Sequence, residues 1–193
     1  MTLDKASKML KNYCSQICER MNPRRLLGDI SGVSAIEFAL ILPVQLLLLF
    51  GTVEIANILI ADRKTASVAS AIADLVAQAK TIDDAGVADV FTAAQAMMQP
   101  FDPANISIVI VSVTANGAGV TTVAWSDAVN GVAKAAGAPY ALPPGLVSPN
   151  MSVIIAEVEY AYHSDLDQLI TAGVTLKDKF FLAPRRSVSV VRL

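Results

Sequence analysis

An almost wholly apolar run, FALILPVQLLLLFGTVEIANILI from Phe38 to Ile60, constrains this chain more than any other feature. Wound as an α-helix at 1.5 Å per residue it is about 35 Å long, enough to cross a hydrocarbon core of about 30 Å. The run predicts a membrane span. The apolar core of an ordinary cleaved secretory signal is about 7–15 residues, shorter than this one, and here the run follows a polar head that fills residues 1–31.

The charges around the run set its direction. Up to Gly32 there are six Lys and Arg (Lys5, Lys8, Lys11, Arg20, Arg24 and Arg25) against three acidic residues, and after it nine against fourteen. A basic flank before a span stays on the cytoplasmic side, so the body beyond Ile60 is expected in the periplasm. The body's Lys and Arg form no stripe, which argues against nucleic acid as a partner. Both cysteines, Cys14 and Cys18, lie in the head, so no disulfide framework is available to the body. With 193 residues there is room for one domain besides an anchor.

Beyond the span, Ile60 to Lys80 contains no Gly or Pro and places Val68, Ile72, Leu75, Val76 and Ala79 at helical spacing. One long helix over 33–80 is therefore expected, with an apolar half in the bilayer and an amphipathic half packed on a small domain. Val87 to Met98 reads as a further short helix ended by Pro100 and Pro103, with Asp83 and Asp84 as turn and cap residues. Strand signals follow. Ile106 to Thr114 is rich in β-branched residues, Asn116 to Gly119 supplies a turn, and Val120 to Trp125 returns to complete a hairpin. A third strand is expected over Met151 to Tyr162 and a fourth over Ser187 to Arg192, with Gly131 to Pro149 as a long loop. The fold class is α+β, a long N-terminal helix followed by a small antiparallel sheet domain at 81–193.

Immediately before the span stand Ser31, Gly32, Val33, Ser34, Ala35, Ile36, Glu37 and Phe38. This stretch resembles the prepilin-peptidase site of the Flp (Tad, type IVb) pilus family, in which cleavage follows a Gly and the fifth mature residue is a Glu followed by an aromatic. By that resemblance residues 1–32 are a cytoplasmic leader, the cut falls between Gly32 and Val33, and Glu37 and Phe38 are the Glu-aromatic pair; the major pilin usually has Tyr where Phe38 stands. A glycine before the scissile bond accepts backbone forms that a side chain hinders. A carboxylate at the edge of a span needs a partner, which in this family is the new N-terminal amine. The phrase EFALILPV, with Pro43, Gly51 and Glu54, is similar to the TadE-like segment of minor pilins. The VEYAY and FLAPRRSVSVV segments are similar to later parts of such proteins.

The resemblance implies a TadE- or TadF-like minor pilin or pseudopilin. Its partners would be a prepilin peptidase, other minor and major pilins, the inner-membrane assembly platform and the lipid bilayer. It would be a single-pass inner-membrane protein, with no cofactor and no catalysis. Glu54, a second carboxylate within the span, and Asn57 on the same helix face are candidates for a subunit contact inside the membrane. The competing reading is a signal-anchored periplasmic binding or adhesin domain that keeps its first residues.

Nothing else carries a catalytic pattern. His163, the single histidine, sits beside Ser164, Asp165 and Asp167 at the end of a strand, too close in sequence to be a triad and too alone to make a zinc site. There is no phosphate-binding glycine loop, no GxSxG and no HExxH. Trp125, Tyr140, Tyr160 and Tyr162 are expected to serve as core or subunit contacts.

Overall fold

The computed structural model describes residues 32–164 and 173–193. The head with its six basic side chains, Cys14 and Cys18 lies outside these, as do Asp165 and Asp167. The chain forms two compact units, divided between Thr52 and Val53.

Helix α1 (Val33–Gln78) is continuous over 46 residues, and it continues through Pro43. In the first unit its side chains are exposed on every side apart from the partly covered Leu42 and Gly51. A helix apolar all round needs lipid or other helices about it. In the second unit α1 changes character. Ala61, Thr65, Val68, Ala69, Ile72, Ala73, Val76 and Ala77 form one buried stripe, with Leu75 outside it. Four of these eight are alanines, whose small side chains let the helix approach the sheet closely.

After α1 come the short strand β1 (Thr81–Ile82) and helix α2 (Asp84–Met97). The Asp83 carboxylate accepts from the Gly86 N–H at 2.8 Å, so α2 is capped where the acidic pair was expected to cap and starts three residues before Val87. A 3-10 turn (Pro103–Asn105) leads into the main sheet, whose strands are β2 (Ile106–Ala115), β3 (Thr121–Val129), β4 (Ser152–Tyr162) and β5 (Val174–Leu182). Their spatial order is β3-β2-β4-β5, all antiparallel.

The sheet is covered on both faces. Ile106, Ile108, Ile110, Ile154, Ala156, Val158 and Tyr160 join the α1 stripe and α2 in the larger core. On the opposite face Val109, Val111, Val113, Val123, Val153 and Ile155 pack under Ala138, Tyr140 and Leu142 of the long loop. Burial on both sides explains why ISIVIVSV shows no polar alternation. A bulge opposite Ser112 and Val113 skips Ala124, so Val123 and Trp125, two residues apart, point to opposite faces.

The expectation of a fourth strand over Ser187 to Arg192 is corrected here. The fourth strand of the sheet is β5, and the chain end supplies only β6 (Val191–Arg192), which pairs in parallel with β1. β5 carries Lys177, Asp178 and Lys179 at its centre, which masks its apolar pattern. Those lysines face acids across the ladder: Lys179 is opposite Glu157 and Lys177 opposite Glu159, each pair with an Nζ to Oε1 distance of 2.8 Å. The chain end is also anchored from the sheet and the helices. The Arg185 N–H donates to the Ala77 carbonyl, Val191 N–H to Lys80, Leu193 N–H to Ile82, and the Arg192 guanidinium pairs with Asp84 and Asp127.

Glu157 holds the long loop to the sheet. Its side chain is 13 % exposed and accepts from the Tyr140 hydroxyl at 2.6 Å and from Lys179, with Lys134 at 3.5 Å. Burial alone raises a carboxyl pKa, but the hydrogen bonds from Lys179 and Tyr140 and the charges of Lys179 and Lys134 hold Glu157 below its ordinary value. A depressed carboxyl contributes stability that is full above the unfolded pKa, about 4.3, and is lost as pH falls through the lower folded value. Glu157→Gln is therefore expected to lower stability by about 1 kcal/mol at neutral pH, after allowance for the exposed lysine ends. The deficit should shrink as the pH is taken below 4.3. Urea titrations of wild type and variant across that range check it, and a pH-independent difference would remove the ionic explanation.

Candidate functional site

Gly32 lies in a 3-10 turn and Val33 is the first residue of α1, so the Gly32–Val33 bond sits at the point where the helix begins. A side chain built on Gly32 would meet nothing within 4 Å. Val33 and Phe38 are exposed, and Glu37 follows Val33 by four residues, which puts the two on one helix face a turn apart. Pro43 has no N–H to offer the Ala39 carbonyl one turn earlier. Further along, the Thr52 hydroxyl donates to the carbonyls of Leu48 and Leu49, the internal bonding that lets a hydroxyl sit in an apolar segment.

Helix α1 is the one described helix long and apolar enough to cross a membrane; none of its most apolar window is buried within the chain. Near the end of the apolar run the two candidate contact residues part company with their neighbours. Val53, Ile55 and Leu59 are exposed, whereas Glu54 is only 6 % exposed and Asn57 is half-buried. Glu54 continues the stripe of Ile58 and Ala61, the side of α1 that faces the chain's own core.

A cavity of about 530 Å³ opens beside this part of the helix. Asn57 and Ile60 line it from α1, Phe101, Asp102 and Asn105 from the segment after α2. Tyr160, Tyr162 and His163 close it from the end of β4. The Phe101 ring lies 6.1 Å from the rings of both tyrosines, tilted at 58° and 69°. The tyrosines are expected from the sequence as contacts and His163 as a strand end, whereas Phe101, Asp102 and Asn105 carry no sequence signal and enter only because the segment with the 3-10 turn folds back beside α1. Among the described residues no group of three His, Cys, Asp or Glu side chains gathers to hold a metal.

Residues 32–74 match the family model described as TadE-like protein. This segment is TadE-like. No curated protein and no solved structure matches the chain. The TadE-like segment opens on Gly32, includes Glu37, Phe38, Glu54 and Asn57, and ends within α1 at Asp74. The sheet domain lies beyond it.

Proposed function

We propose that the chain is a minor pilin-like assembly or initiation subunit of a Flp/Tad pilus. It is inserted in the inner membrane with its N-terminus in the cytoplasm and cut between Gly32 and Val33. The observation that carries this reading is the TadE-like match, which opens on Gly32, the residue before α1; Glu37 lies one turn into that helix. Removal of residues 1–32 leaves a new amine at Val33, on the same face as Glu37. That amine, from this chain or a neighbour, offsets the carboxylate at the membrane edge. The exposed apolar helix then bundles with the helices of other pilins, and the sheet domain presents a periplasmic surface. The work is packing, and no turnover of substrate is involved. The half-buried Asn57, and the little of Glu54 that its burial leaves accessible, meet a neighbouring subunit or the assembly platform.

N-terminal sequencing of the membrane-embedded protein, in cells with and without the prepilin peptidase, tests the reading. A start at Val33 is expected only with the peptidase. A start at Met1 in both strains would overturn it and leave a signal-anchored domain.

A further inference from the structure

We propose that the cavity beside the end of the apolar run binds the ammonium group of a zwitterionic phospholipid headgroup, phosphatidylethanolamine being the simplest. The inference rests on the membrane-inserted reading above. Ile60 is the last residue of the run and Asn57 lies one turn before it, so the helix wall of the cavity stands at the height where lipid headgroups meet water. Its volume of about 530 Å³ is within the range of about 300–1,000 Å³ usual for small-ligand sites.

The lining selects the sign of the ligand. Among the described residues it contains one carboxylate, Asp102, the histidine His163, and neither Lys nor Arg. A phosphate entering alone would meet that negative charge with no lysine or arginine to balance it, whereas an ammonium group is attracted. Of the rings that line it Tyr160 and Tyr162 are 2 % and 5 % exposed, whereas Phe101, packed against both, is only partly buried and is the ring a cation can reach. The Asp102 carboxylate is fixed in place, since its Oδ1 accepts from the Ala104 N–H at 2.9 Å. The side-chain amide of Asn57 supplies a neutral donor for the phosphodiester that follows the ammonium group, that of Asn105 being bonded to Tyr160.

The test uses the full chain in detergent, incubated with equal amounts of phosphatidylethanolamine and phosphatidylglycerol, with retained lipid counted by native mass spectrometry. Wild type should retain the ethanolamine lipid about fivefold over the glycerol lipid. Asp102→Asn should bring the two to parity while the melting temperature stays put, because Asn caps a turn as well as Asp does. Phe101→Leu should weaken the preference in the same direction. Equal retention by wild type, or an unchanged preference in Asp102→Asn, would overturn the proposal. Soluble glycerophosphoethanolamine provides the second arm: competition with the lipid is expected, and binding of the soluble headgroup without any lipid preference would overturn the lipid as the source. Carbonate extraction of cell membranes separates the two readings. A chain released by carbonate that still binds the soluble headgroup would sink membrane insertion, and the lipid with it, and leave ammonium recognition standing.

Discussion

Ile72→Ala is expected to lower the unfolding free energy by about 2–5 kcal/mol, the usual cost of a truncated aliphatic side chain in a core. Leu75→Ala, three residues on, should cost no more than about 0.5 kcal/mol. Both residues sit at helical spacing in the same amphipathic stretch, and the sequence alone does not separate them. In the structure Ile72 is 1 % exposed within the α1 stripe and Leu75 is 45 % exposed. The neighbours on either side of Ile72, Ala69, Ala73 and Val76, are fully buried. They hold the helix against the sheet and leave little freedom to close the void. Denaturant titration of the full chain in detergent, followed by the fluorescence of its single tryptophan Trp125, reads both variants, since Trp125 belongs to the same core. Equal losses from the two would mean that α1 does not pack as described.

The long helix was legible because two simple signals agreed: an apolar run of spanning length, and then an amphipathic stretch with no helix breaker between. The hairpin and β4 were legible for the same kind of reason, since β-branched runs bounded by Asn and Gly leave little choice. β5 was not. Lys177, Asp178 and Lys179 read as a solvated segment when taken one strand at a time. Their partners Glu157 and Glu159 sit in β4, and only the pairing turns the charges into a ladder. The matching EVE and KDK triplets were the one available signal.

The same limit applies to the candidate site. Gly32, Val33, Glu37 and Phe38 are neighbours in sequence, so a motif can show them. The cavity residues Asn57, Phe101, Asp102, Tyr160 and His163 come from three separate stretches, and no local pattern ties them together. Glu54 lies between these cases: its place in the span was legible, but the side of the helix it occupies depends on where the core stripe begins.

Trp125→Ala should cost about 3–5 kcal/mol, and Trp125→Phe about 1–3 kcal/mol for a different reason. Period-two counting from Val123 would put both side chains on one face. The bulge at Ala124 instead turns Trp125 toward α1, where it is 9 % exposed and its indole N–H donates to the Val190 carbonyl at 2.8 Å. Alanine leaves a large void and breaks that bond. Phenylalanine fills most of the space and leaves the Val190 carbonyl buried without its donor, the costlier half of a broken hydrogen bond. Val190 directly precedes β6, whose Val191 N–H is bonded to the Lys80 carbonyl just before β1. Loss of the indole should therefore loosen the chain end before the sheet. Circular dichroism with denaturant gives the two stability losses, and hydrogen exchange gives their location. Trp125→Phe should speed exchange at Val191 and Leu193 more than at the β2–β4 ladder. Uniform acceleration across both would show that the indole serves as core filling alone and does not tie down the chain end.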